Sequence, residues 1–191
     1  MKQILQNILK RYPFLLVVAG AIVILDQVSK AYIRMAFSGP EGLVQWAPWD
    51  WLLPYFRIIY VTNTGVAFGM FQGMWMIFAV LAAFVSIAII YYFYHVPEND
   101  WVLRLSMSMM LAGALGNLID RLTQQGRVTD FISVGNFPVF NVADSSITVG
   151  AVILAFDMLI HKLRELRAQN AESLAEPGVE NDAPQQENQA G

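Results

Sequence analysis

The sequence has no cysteine and only two histidines among its 191 residues. Without cysteine there is no disulfide, no thiol nucleophile and no thiolate metal site. His95 and His161 lie far apart, with no spacing that would put two imidazoles on one metal, so no metal or other cofactor is expected. Charge is scarce as well. Charged residues make up 14% of the chain, where a soluble domain carries about 25%. The net charge of −3 is small and of the wrong sign for a nucleic-acid binder. Apolar residues fill the difference: 56% of the chain is hydrophobic and the mean hydropathy is +0.46. The solvent this composition suits is lipid.

Four stretches are long enough to cross a bilayer, which takes roughly 20 apolar residues each: about 14–34, 74–94, 101–122 and 145–163. The second, "MWMIFAVLAAFVSIAIIYYFY", holds no charge at all. The first follows Lys2, Lys10 and Arg11 and so resembles a signal peptide. The helical pattern runs on through "DQVSKAYIRM" without a convincing cleavage site, which makes it a retained helix. Four spans put both termini on one side. With the termini inside, seven Lys and Arg fall inside and five outside, a modest bias in the expected direction. The expected organisation is one membrane-embedded domain over residues 1–167. A disordered acidic cytoplasmic tail, poor in aromatics, follows at 168–191.

Between the first two spans, residues 36–73 are more than a loop. "WAPWDWLLPYF" is rich in the aromatics that rest at a membrane–water interface. "FRIIYVTNTGVAFGMF" reads as strand material broken by an Asn-Thr-Gly turn. The fold class expected is therefore mainly α, four transmembrane helices with a small extracytoplasmic β element.

Polar groups are costly in a bilayer, so an intramembrane charge is a functional candidate. Here they gather at one depth. Asp26 and Lys30 stand at i and i+4 near the outer end of the first helix. Asn117, Asp120 and Arg121 close the third helix, and Asp144 opens the fourth. Singly, each has a plain structural reading: Asp144 as a helix N-cap, Asp26–Lys30 as an ion pair, Asn117 as a bond between helices. Those readings leave their convergence unexplained. A hairpin turn at Gly135-Asn136 would set Asp130 opposite Asn141, three residues from Asp144. Two carboxylates brought together share one proton, because adjacent negative charges repel strongly in low dielectric. One can then take a proton from water while the other gives one away. At the inner ends of the third and fourth helices, similar depths suggest a pairing of Arg104 with Asp157.

"GNLIDR", "VTDFI" and "FNVADSSI", with "DQVSK" and "VTNTGVAFGMF" upstream, resemble the five blocks of the lipoprotein signal peptidases, the type II signal peptidases of bacteria. The likeness spans about residues 14–163 in the family's order. It implies an aspartic endopeptidase whose catalytic pair falls on Asp130 and Asp144. It also implies supporting roles for Asp26, Lys30, Asn63, Gly65, Asn117, Asp120, Arg121, Asn141 and Ala143. By the same resemblance, the substrates would be prolipoproteins cut just before a cysteine bearing diacylglycerol. The protein would sit, as a monomer among membrane lipids, in the bacterial cytoplasmic (inner) membrane with its active site at the outer face. Val66 stands where the family often has Ala, and Thr129 where it often has Val.

Three rival readings face particular residues. An ion-coupled transporter would spread polar groups across the bilayer, against the charge-free second helix. A structural membrane subunit leaves the paired carboxylates without a reason. A Ser29–Lys30 catalytic pair suffers from geometry, since neighbours on a helix project about 100° apart.

Overall fold

The computed structural model describes residues 11–37, 44–65 and 71–175, with side chains to residue 171. Lys2, Lys10, residues 66–70 of the glycine-bearing block and residues 176–191 of the acidic tail lie outside the described residues. The chain divides into two compact units, Met1–Ala155 and Phe156–Gly191. Everything that concerns the site belongs to the first.

Four helices are long and apolar enough to cross a membrane. Helix α1 (Pro13–Ala36) opens on a proline, whose missing N–H and fixed φ suit the first helical turn. Helix α2 (Trp75–Phe93) is the charge-free stretch. Helix α3 (Trp101–Thr123) is capped by Asp100, whose carboxylate accepts the Leu103 N–H at 3.1 Å. Helix α4 spans Val142–Ala175. The expected limits held to within two residues for the first three. The fourth begins three residues early and continues past residue 163, and residues 168–175 are helical where an irregular tail was expected. In the second unit, α4 carries His161 beside Asp157 (3.7 Å) and Lys162 beside Glu165 (3.5 Å), one turn apart in each case.

Helix α3 is the centre of the membrane part. Half of its most apolar window is buried, against about a fifth or less for the other three helices. Small residues allow this: without a hydrophobic drive between helices in lipid, association rests on close packing. A Cβ on Gly150 would stand 2.9 Å from the Ser106 carbonyl oxygen, and Ser146 instead donates its hydroxyl to the Met109 carbonyl at 2.8 Å. Leu15, Ala19, Ile89, Phe93, Leu111 and Ala112 close the core between α1, α2 and α3. At its edge Arg104 donates to the Arg11 carbonyl (2.8 Å) and lies over the rings of Phe93 and Phe14, at 4.8 and 5.5 Å. Of the expected Arg104–Asp157 pairing, Arg104 belongs to the first unit, where it meets a carbonyl and two rings, and Asp157 to the second, where it meets His161 on its own helix.

The β part is a three-stranded antiparallel sheet in the order β1 (Gln45–Trp46), β2 (Phe56–Asn63), β3 (Val128–Val134). Sequence reasoning kept the strands before and after the middle helices apart; hydrogen bonding joins them. Between β1 and β2 a short 3-10 turn (Asp50–Leu52) presents Trp49 and Trp51, stacked at 6.1 Å and exposed, as expected of interface aromatics. The pairing of β2 with β3 shifts by one residue between Ile58 and Val61, a bulge that moves every later side chain of β2 to the opposite face. Because of it Asn63 shares the face of Asp130.

Candidate active site

Two carboxylate groupings stand next to each other where α1 and α3 meet the sheet. The first is a buried ion cluster. Lys30 lies 2.9 Å from Asp26 and 3.4 Å from Asp120, and none of the three has any exposed side-chain surface. Arg34, one further turn along α1, reaches Asp120 at 3.6 Å. Backbone donors complete the set: the Ala143 N–H on the Asp26 oxygen that Lys30 leaves (2.9 Å), and the Thr129 N–H on the Asp120 oxygen that faces Lys30 (2.9 Å), the other Asp120 oxygen facing Arg34. Buried charge is tolerable only when paired and fully hydrogen-bonded, and this cluster meets both conditions. It also ties α1 to α3, to β3 and to the start of α4. Ala143 is fully buried there, and a Cβ on Gly116 would fall 2.6 Å from the Asp26 carboxylate.

The second grouping is Asp130 and Asp144, which meet amides where the first pair meets cations. Asn141 connects them. Its Nδ2 donates to Asp130 Oδ1 at 2.7 Å, while its Oδ1 accepts the Asp144 N–H at 2.9 Å and its own N–H donates to Asp144 Oδ2 at 3.2 Å. The last two bonds make a capping box: Asn141 is the N-cap of α4 and Asp144 its reciprocal partner three residues on. Asp144 therefore does help to start the helix, from its third position and not as the N-cap that its plain reading made it, and with one oxygen only. The other oxygen receives Asn117 Nδ2 at 2.7 Å. Asn117 is oriented by the ion cluster, since its Oδ1 accepts from Lys30 at 3.0 Å, which obliges its NH₂ to face Asp144. Asn63 donates to Asp130 Oδ2 at 3.4 Å, and its own carbonyl is held by the Gly65 N–H at 2.9 Å.

The turn at Gly135-Asn136 is present, with Gly135 at φ +50°, but its register differs from the expected one. The bridge pairs Ile132 with Phe140, so Asn141 is not directly across from Asp130. It reaches Asp130 because the chain leaves the strand at that residue to begin α4.

Asp130, Asp144, Asn63, Gly65, Asn117 and Arg121 line a cavity of about 550 Å³, completed by Val128, Val149, the apolar run from Phe137 to Phe140 and the hydroxyl residues Ser145 and Thr148. Burial pushes the Asp130 carboxyl up to about 7; the neighbouring Asp144 adds to this, while the bonds from Asn141 and Asn63 and the charge of Lys30 hold it down. Arg121 lies over the Phe78 ring at 5.8 Å and donates to the Asn117 carbonyl at 3.4 Å, and its buried Nε has no hydrogen-bond partner among the described residues. All eleven residues singled out in the sequence thus fall in this one region. Ser29 does not join Lys30 in a reactive pair: its hydroxyl donates to the Asp26 carbonyl at 2.8 Å.

Arg34 and Thr129 also belong to the region, beyond the polar cluster of Asp26, Gln27, Ser29 and Lys30 expected at the outer end of the first helix. Arg34 was legible in principle, because Asp26, Lys30 and Arg34 recur every four residues along one helix face. Gln27 joins α1 to α3 by donating to the Gly116 carbonyl at 3.0 Å.

A family model described as signal peptidase (SPase) II matches residues 18–160. The lipoprotein signal peptidase of Caldanaerobacter subterraneus is 41% identical over 145 residues, 75% of this chain and 94% of that protein. That of Thermodesulfovibrio yellowstonii is 39% identical over 142 residues, 72% of this chain and 89% of that protein. A solved bacterial membrane enzyme, determined by the in meso method at 2.3 Å resolution, superimposes with a TM-score of 0.69. It is 31% identical, and the match covers 78% of this chain and 88% of that one.

Proposed function

Because the chain belongs to the signal peptidase II family of multi-pass membrane peptidases, we propose that it removes the signal peptide of diacylglyceryl-modified prolipoproteins, cleaving before the lipidated cysteine with water activated by Asp130 and Asp144. One observation carries the aspartyl mechanism. Asn141 bridges two carboxylates that line one cavity, and the direct donors to both are amides rather than cations. Such a pair holds one proton between two acids. The ionised member takes a proton from water as its oxygen attacks the scissile carbonyl, and the protonated member gives its proton to the carbonyl oxygen. The tetrahedral diol collapses as one of its hydroxyls returns a proton to the ionised carboxylate; the C–N bond breaks, the amine leaves with the proton of the other carboxyl, and the pair again holds one shared proton. The free Nε–H of Arg121 is available to a substrate carbonyl in the same cavity.

The lipid anchor explains the location. A diacylated peptide is held at a fixed depth in the bilayer, so a dyad at the ends of α3 and α4 meets the bond where lipid presents it. Lysine and arginine counts support both termini in the cytoplasm and the dyad at the outer face. In this reading a monomer suffices, no cofactor takes part, and the acidic stretch after residue 167 has no role in cleavage.

The test is cleavage of a lipidated precursor by purified protein in detergent with a chelator present. Wild-type protein should cleave, and Asp130→Asn and Asp144→Asn should not. Turnover by either variant at the wild-type rate, or loss of wild-type activity to the chelator with recovery on adding one metal, contradicts the mechanism.

A further inference from the structure

Strand β3 has two faces, and each lines a cavity. Val128 and Asp130 face the dyad; Thr129, between them, faces a second pocket of about 240 Å³ with Tyr60 and Thr62 of β2. The bulge in β2 that turns Asn63 toward Asp130 turns Tyr60 and Thr62 the other way. Arg34, at the end of α1, and Arg127, just before β3, line it too, with Thr123 at the end of α3 and Gln124 and Gln125 after it, and no lining residue carries a carboxylate.

Three features mark this pocket as an anion site. First, charge: Lys30 and Arg34 formally balance Asp26 and Asp120 in the adjoining cluster, which leaves Arg127 as one surplus positive charge. Its guanidinium has no hydrogen-bond or ion-pair partner among the described residues. Second, three of the carbonyls at the helix C-termini beside the pocket are engaged within the chain, which tempers the negative end of each helix. The carbonyls of Ile33, Asp120 and Arg121 are taken by the backbone N–H groups of Phe37, Gln124 and Gly126. Third, the turn that presents Arg127 is built. Gly126, at φ +84°, lays its backbone against the Trp75 ring where a side chain would have no room, and the Arg127 N–H bonds the Gln124 carbonyl at 3.1 Å.

We infer that this pocket binds a phosphate ester carrying a single negative charge, held by the guanidinium groups of Arg34 and Arg127 and by the donors of Gln124 and Tyr60. The volume is below the roughly 300–1,000 Å³ of sites for drug-sized ligands, which suits a headgroup and excludes a peptide or an acyl chain. The setting is the boundary where α1 and α3 end, the depth of lipid phosphates, and paired guanidiniums are the usual receptor for them. The site is separate from the dyad reading and stands or falls without it.

Titration calorimetry in a maltoside detergent, which carries no phosphate, tests this with three probes: dihexanoyl phosphatidylglycerol, dihexanoylglycerol and inorganic phosphate. The phosphatidylglycerol should bind to wild type, and Arg127→Gln should weaken it about tenfold or more, the value of a charge-assisted hydrogen bond. Arg127 is exposed, so this change leaves the fold alone. Arg34→Lys, which keeps the charge but loses the fork, should weaken it as well. Asp130→Asn should bind like wild type. Phosphatidylglycerol binding more tightly than inorganic phosphate identifies a lipid headgroup; equal, Arg127-dependent binding of both identifies the free anion. Unchanged affinity for both phosphate probes in Arg127→Gln, or dihexanoylglycerol binding as tightly as phosphatidylglycerol, overturns the site.

Discussion

The two buried carboxylate pairs of this protein are made of the same residue type, and they differ in what faces them. Asp26 and Asp120 face Lys30 and Arg34. Asp130 and Asp144 face Asn63, Asn117 and Asn141. A cation fixes a carboxylate in its charged form and makes it a strut; an amide satisfies its lone pairs while leaving the proton free to come and go. Asn117 stands at the junction, one end on Lys30 and the other on Asp144. It transmits the geometry of the cluster to the dyad without its charge.

The comparison is broken most severely by substituting one member of each pair. Asp144→Asn should reduce cleavage by about a thousandfold or more, since acid–base groups contribute about 10²–10⁴, with thermal stability in detergent unchanged or raised as the repulsion goes. Lys30→Met should do the reverse in kind: Asp26 and Asp120 are left buried without their cation, at a cost of about 3–5 kcal/mol. Loss of activity in Lys30→Met should follow loss of folded protein. If Asp144→Asn unfolds the protein while Lys30→Met leaves it stable but inactive, the roles are reversed.

A smaller effect is expected at the junction. Asn117→Ala removes the donor to Asp144 and the acceptor for Lys30, and kcat should fall about ten- to a hundredfold, the value of a hydrogen bond to a charged group, with KM little changed. An effect on KM alone would place Asn117 in substrate binding instead.

Smaller again is the effect of Asn63→Ala, read in the pH profile. Asp130 titrates at about 7, above its ordinary 3.8, so the singly protonated dyad is lost as pH rises past neutrality and kcat/KM should decline there. Asn63 donates to the ionised carboxylate and favours it; removing that bond raises the Asp130 pKa and moves the alkaline limb to higher pH. A limb that stays put, or moves down, denies Asn63 this part. The smallest effect belongs to Ser29→Ala, which should leave cleavage within about twofold, because the Ser29 hydroxyl only closes a bond on its own helix.

The membrane helices were legible because hydropathy and charge bracket them: α1, α2 and α3 fall within two residues of the stretches expected. The start of α4 was not, since Asn141 as its cap appears only once the reciprocal bonds with Asp144 are seen. The convergence of Asp130 and Asp144 was readable from the turn at Gly135-Asn136, although the strand register was misplaced by one. What no local pattern could give is the sheet that joins β2 to β3 across two intervening helices, or the one-residue bulge within it. Those long-range features decide which of Thr62 and Asn63 faces Asp130.

The central claim is that Asp130 and Asp144 hold one proton between them near neutral pH. Infrared spectroscopy of the purified protein across pH 5–9 measures it directly. The account predicts a protonated-carboxyl C=O band that titrates near pH 7 and disappears in Asp130→Asn. No such band at pH 5–7 in the wild type, or a band that persists unchanged in both Asp130→Asn and Asp144→Asn, would contradict it.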